Sequence, residues 1–176
     1  INREQLKERV EVVKKDLYWP LYRYTEERPF AWTVSRVAQA PNARRSLIAA
    51  ASNNPYEIAF TEEEVPLPMI SNPPSVQATR TNARTIRGEL ESARNRGIFV
   101  CISNNWMPGW KAYDGEGNPL RVLPADGFLT GVVLPQGVTE FQLVYSPTIF
   151  YQGAMLTGAG LILLIAGLLW KKRRAA

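Results

Sequence analysis

Few residues in this chain could do chemistry, and their types restrict what that chemistry could be. There is one cysteine, Cys101, and no histidine in 176 residues. Without imidazole there is no Ser-His-Asp triad, no histidine general base and no histidine ligand for zinc, copper or haem. One cysteine excludes an internal disulfide and a cluster of thiolate ligands. Cys101 stands in the apolar run Phe99-Val100-Cys101-Ile102. It reads as a small buried hydrophobe, since no histidine is present to activate it as a nucleophile. The acidic triplet Glu62-Glu63-Glu64 lacks the spaced Asp, Asn and Gly of a calcium loop and reads as solvated surface. No catalytic residue, cofactor or metal ligand is therefore assigned. What remains is the segment holding Trp106, Trp110, Tyr113 and Asp114. Aromatic rings beside a carboxylate suit a sugar. The competing and favoured role is architectural: Pro108 and Gly109 bend the chain off a strand, and the two indoles cover an open sheet end. The aromatics Tyr18, Trp19, Tyr22, Tyr24, Phe30 and Trp32 pose the same choice. A packed sheet edge near the membrane is again preferred to a ligand platform.

The net charge of +5 raises the question of a nucleic-acid partner. Its distribution answers against one. Lys171, Lys172, Arg173 and Arg174 form a single run, and the rest of the chain has 17 basic against 16 acidic residues. Residues 1–50 carry +4 and residues 51–148 carry −3. The arginines at 80, 84, 87, 94 and 96 thus lie in a net acidic region and read as a solvated sheet face, where a nucleic-acid reader is expected to be basic.

Ahead of the basic run, residues 151–170 contain no charged side chain. Twenty helical residues rise about 30 Å, the thickness of a bilayer's hydrocarbon core. Tyr145, Phe150 and Tyr151 at one end and Trp170 at the other match interfacial aromatic belts, and the run 171–174 marks the cytoplasmic side. This predicts a transmembrane helix over 149–170, a cytoplasmic tail over 171–176, and residues 1–148 outside a bacterial cytoplasmic membrane, in the periplasm. Gly153, Gly160 and Gly167 recur every seven residues with Thr157 on the same stripe, and Ala154 and Gly158 form a small-xxx-small pair beside it. Small residues let helix backbones approach closely in lipid, so the stripe predicts a packing face for another transmembrane helix. No charged n-region with an apolar h-region is visible ahead of the soluble part, so export is expected to depend on a removed leader or on earlier spans of a longer protein.

The elements that must position these residues are mostly strands. Residues 2–17 place Leu6, Val10, Val13 and Leu17 at helical spacing, which predicts a helix, with a strand over the alternating RVEVV as the alternative. Residues 31–38 and 57–62 read as strands, with a short helix over 43–52 between them that Pro41-Asn42 opens and Asn53-Asn54-Pro55 closes. This α+β part, 1–61, is followed by a Pro-rich acidic linker, 62–75. From 76 to 148 the pattern is β throughout, with strands over 76–81, 84–91 and 97–103. Turn signals at Asp114-Gly115, Glu116-Gly117-Asn118-Pro119, Ala125-Asp126-Gly127 and Pro135-Gln136-Gly137 separate the later ones. The expected fold is mainly β: an antiparallel β-sandwich-like domain with one or two short helices and a C-terminal transmembrane helix.

The segment NNWMPGWKAYDG, 104–115, resembles the Tyr-Tyr-Pro-Gly-Trp-x-Ala-x-x-Asp-Gly segment near the C-terminus of YfhO-like bacterial membrane proteins. ADGFLTGVVLP (125–135), Gly137, EFQLVYSP (140–147) and the span with its basic tail follow in the same order, and PFAWTVSRV (29–37) and IAFTEEEVP (58–66) resemble the upstream part. Pro29-Phe30-Ala31 departs from the family's usual Pro-Arg-Ala. YfhO-like proteins resemble lipid-linked-sugar glycosyltransferases whose acidic catalytic residues are expected in an early extracytoplasmic loop, and this chain contains nothing matching that loop. The resemblance implies a terminal β module, its topology and a bacterial envelope setting.

Together these readings predict a non-catalytic single-span membrane subunit. Its partners are the lipid bilayer and other transmembrane helices of a larger complex, an energy-transducing one being a candidate, with no nucleic acid. Two alternatives are the terminal module of a YfhO-like glycosyltransferase and a carbohydrate-binding module whose partner is a glycan.

Overall fold

A computed structural model describes the backbone of residues 10–14, 21–24 and 29–174, and the side chains of 29–148 and 150–163. The first described strands, β1 (Val10–Lys14) and β2 (Leu21–Tyr24), form a separate antiparallel pair. The helix expected over 2–17 is thus a strand where it is described, and residues 1–9 and 15–20 lie outside the described residues. Val10, Val12 and Val13 explain the difference: branching at Cβ favours extended backbone, and period-2 alternation outweighs a single helical stripe.

The remaining strands form one ten-stranded sheet: β3 (Ala31–Thr33), β4 (Arg36–Gln39), β5 (Ile58–Thr61), β6 (Val76–Asn82), β7 (Thr85–Leu90), β8 (Ile98–Asn105), β9 (Trp110–Asp114), β10 (Pro119–Ala125), β11 (Leu129–Leu134) and β12 (Glu140–Tyr145). Its main path is β3-β8-β11-β10-β9-β12-β7-β6, with β5 joined to β10 and β4 joined to β5. All described pairings are antiparallel except β4 with β5. Among the described residues the fold is mainly β, antiparallel and nearly barrel-shaped, with two helices.

The fold closes on itself because β10 changes partners along its length. Pro119 and Leu120 pair with β9, whereas Arg121 to Ala125 pair with β11. The two ends of the path, β3 and β6, then meet across a seam. The buried Thr33 hydroxyl donates to the Pro74 carbonyl at 2.6 Å, and further along Arg80 Nη2 donates to Asn104 Oδ1 at 2.6 Å.

Strand β8 separates two apolar cores. Ile98, Val100 and Ile102 pack with Ile86, Leu90, Trp110, Leu134, Phe141 and Leu143 on one side. Phe99 and Cys101 pack with Val34, Ala59, Val65, Leu123 and Ala125 on the other. That is why 98–102 reads as an unbroken apolar run rather than an alternating one. By contrast β7 alternates cleanly, with Ile86, Gly88 and Leu90 buried and Arg87 and Glu89 exposed. Gly88 is required there because the Phe141 ring from β12 lies across it, and any Cβ would fall 2.1 Å from that ring.

Strands on both sides of the Pro-rich segment enter this sheet, so 62–75 runs within the fold. Val65 is buried, Ile70 N–H donates to the Ser35 carbonyl, and Pro74 accepts from Thr33. The stretch 31–38 is two strands rather than one, because Val34 turns into the second core and its N–H donates to the Phe99 carbonyl. Helix α1 (Ala43–Ala51) follows Asn42, whose side chain accepts from Arg45 N at 3.0 Å, as its sequence predicts.

The C-terminal helix α2 runs from Thr148 to Arg174. Among the described residues no helix is long and apolar enough to cross a membrane. Described side chains end at Leu163, while the helical backbone continues for eleven more residues.

Candidate functional site: the helix root and its sheet corner

The two groups of candidate residues meet where the sheet hands over to α2. At this corner Gly109 adopts φ +114°, and a Cβ on it would lie 2.9 Å from Pro147 Cα. Only glycine suits both constraints. Its carbonyl accepts from Ser146 N at 2.8 Å, tying the loop before β9 to the residues before α2. Trp110 is buried in the main core with its ring centroid 5.2 Å from that of Tyr145. Its indole Nε1 is buried without a hydrogen-bond partner among the described residues. Trp106 is half-buried against the same core, and its backbone N–H donates to the Phe128 carbonyl at 2.7 Å. Pro108 and Met107 form the exposed tip.

Tyr113 and Asp114 lie at the far end of β9, away from this corner. The Asp114 carboxylate accepts from Glu116 N, Asn118 N and Asn118 Nδ2 at 2.7–3.0 Å, building the β9–β10 turn. The Asn118 amide, helped by these backbone donors, holds the Asp114 carboxyl below its ordinary value. Trp110 and Tyr113 line one hollow of about 270 Å³ with Lys111, Leu120 and Val122, but Trp106 and Asp114 do not line it, so the four residues do not converge on one ligand position. Trp32 is likewise structural, since its Nε1 donates to the Pro55 carbonyl at 2.7 Å and its ring meets Tyr56 edge-on. Phe30 packs on the main core. Tyr18 and Trp19 lie outside the described residues, as do the side chains of Tyr22 and Tyr24.

Glu63 pairs with Arg121 at 2.6 Å, while Arg84, Arg87, Arg94 and Arg96 are exposed. Cys101 is fully buried, and burial pushes its thiol well above the ordinary value, with the Asp126 charge adding to the effect. Asp126 is itself buried, at φ 52°, and exchanges two 2.8 Å backbone and side-chain bonds with Phe60. Burial raises its carboxyl above the ordinary value.

A feature missed in the sequence is a polar hollow of about 450 Å³ on the outer face of β6, β7 and β12. Gln77, Thr79, Arg87, Glu89, Glu140 and Gln142 line it, with Asp114 at its rim. The signal was present in the strand alternation, but the pairing of the β6–β7 hairpin with the distant β12 was needed to bring the residues together.

On α2, every described side chain from Phe150 to Leu163 is exposed, including Met155, Leu156, Ile162 and Leu163 at 69–75%. A Cβ at Gly153, Gly158 or Gly160 would meet nothing within 4 Å. Thr157 Oγ1 donates to the Gly153 carbonyl at 2.9 Å, so the one hydroxyl on the glycine stripe is satisfied within the helix. Ala154 lies on the exposed helix too, whereas the side chains of Trp170, Lys171, Lys172, Arg173 and Arg174, and the surroundings of Gly167, lie outside those described. No family model, curated protein or solved structure matches the chain.

Proposed function

We propose that the chain is a non-catalytic, membrane-anchored module: α2 crosses a bacterial cytoplasmic membrane, its glycine stripe packs against a helix of a larger membrane complex, and the β fold stands outside. One observation carries this reading. The described part of α2 presents exposed apolar side chains, and a Cβ at Gly153, Gly158 or Gly160 would meet nothing within 4 Å, an arrangement that water disfavours and lipid satisfies. The charge-free stretch 151–170 and the basic run 171–174 support the same placement. The likeness of 104–147 to YfhO-like terminal modules agrees with it.

The test is expression of the full chain, extraction of membranes with alkaline carbonate, and purification in mild detergent. The chain should stay with the membrane and co-purify with a partner. Gly153→Leu with Gly160→Leu should lose the partner and keep the membrane fraction. A carbonate-soluble chain, or a monomer with no partner in mild detergent, overturns the reading.

A second reading, glycan binding, is favoured by the polar hollow alone, where amides, carboxylates and a guanidinium share one sheet face. Glycan-array binding abolished by Arg87→Ala and unaffected by Trp110→Phe supports it. An empty array removes it.

A further inference from the structure

Helix α1 buries the opposite face from the one hydrophobicity would choose. The residue it buries is Ser46, whose hydroxyl donates to the Phe60 carbonyl at 2.9 Å, with small alanines 43, 49 and 50 half-buried around it. Its larger apolar side chains point outward: Leu47 is 46% exposed and Ile48 51%. Arg44 and Arg45 are exposed beside them. A helix with basic and large apolar side chains on its free face has the composition of one that lies on a membrane surface.

The location of that face makes the composition meaningful. α1 sits on the β10–β11 turn, where a Cβ on Gly127 would lie 2.7 Å from the Ala43 carbonyl oxygen and 3.0 Å from Leu47 Cβ. The next residue, Phe128, is 50% exposed, and its carbonyl accepts from Trp106 N. Beyond Trp106 lies Met107, 45% exposed, and then Gly109, packed on Pro147 at the root of α2. A continuous strip thus leads from α2 to α1 through Met107, Phe128, Leu47 and Ile48. Residues 41–54 and 104–109 contain no acidic side chain, and Asp126 in the turn between them is buried.

We propose that this strip rests on the headgroup layer of the bilayer that α2 enters, with Arg44 and Arg45 against anionic lipid phosphates and the four apolar side chains at the acyl boundary. The inference depends on α2 being the anchor and adds that the β fold lies down on the membrane instead of standing free. Continuity with the helix root and the basic, acid-free margin favour lipid over a protein partner. Arginine pairs with phosphate in fork geometry, and surface basic residues gain from an anionic leaflet.

The test uses the full chain with Cys101→Ala, reconstituted into vesicles of phosphatidylglycerol and phosphatidylcholine. Single cysteines at Leu47, Phe128, Glu116 and Leu156 carry a fluorophore. Glu116 lies in the turn at the opposite end of β9 and serves as the distant control. Headgroup-nitroxide lipids should quench the labels at 47 and 128 severalfold more than the label at 116. That difference should shrink severalfold on Arg44→Glu with Arg45→Glu, or in pure phosphatidylcholine. Equal quenching at 47, 128 and 116, with the label at 156 quenched by acyl-chain nitroxide, overturns the inference and leaves the anchor intact. No quenching at 156 overturns the anchor as well. Labels at 47 and 128 that are unquenched in lipid alone but shielded in native membranes assign the strip to a protein partner, and that also overturns it.

Discussion

Trp110 separates packing from recognition most sharply. Its ring fills the main core beside Tyr145, while its buried Nε1 has no hydrogen-bond partner among the described residues. An unpaired buried donor costs stability, whereas the ring contributes it. Trp110→Phe should therefore leave the melting midpoint in denaturant nearly unchanged, and Trp110→Ala should cost about 3–5 kcal/mol. A large loss for both would mean that the indole nitrogen is paired. Asp126 is the counterpart among charged groups. Burial raises its folded-state pKa, so between its unfolded value and that raised value the folded chain holds the extra proton. This contribution favours folding at acid pH and is lost as pH rises through the folded value. Asp126→Asn keeps an acceptor for Phe60 N–H and tolerates the positive φ. The variant should melt higher than the parent at pH 7, and the gap should close at pH values below the carboxylate range. A gap independent of pH would assign the effect to packing.

At the level of elements, stability is concentrated where the path of strands meets itself. Thr33→Val keeps the shape of a buried side chain but leaves the Pro74 carbonyl without its donor, which should cost about 1–3 kcal/mol. Arg80→Ala, at the exposed end of the same seam, should cost little, because an exposed bond exchanges for water. Equilibrium denaturation of the two variants checks the ranking. The strands from 76 to 145 were legible in the sequence because alternation and turn residues act locally: Asp126 and Gly127 take the positive φ that their turn signal implies. Less legible were features decided by distant contacts. Val34 breaks the expected strand 31–38 because it fills the second core, and β10's change of partners has no local cue. For α1, the start signal Pro41-Asn42 and the stop signal Asn53-Asn54-Pro55 reveal a helix, but its buried face is alanine and serine, which hydrophobicity does not single out. A bend at Pro108-Gly109 was expected from residue type, and Gly109 takes φ +114° there. The polar hollow was not expected, since it needs three strands in register.

Across the whole molecule, charge and hydrophobicity are distributed along one axis. The β fold beyond residue 50 is net acidic, residues 131–150 contain no lysine or arginine, and four basic residues follow the apolar stretch. Positive charge resists translocation, and the count that matters lies within about 15–20 residues of each helix end. Here that count is zero on one side and four on the other, so the orientation proposed for α2 depends on those four residues. Replacing Lys171, Lys172, Arg173 and Arg174 by serine removes the asymmetry, and adding Ser146→Lys with Thr148→Lys reverses it. C-terminal fusions to alkaline phosphatase and to a cytoplasmically fluorescent protein measure the outcome. The parent should be fluorescent and phosphatase-negative, the serine variant should divide between orientations, and the reversed variant should gain phosphatase activity. A reversed variant that keeps the parent's orientation would show that a partner helix, acting through the glycine stripe, orients the chain more strongly than its own charge does.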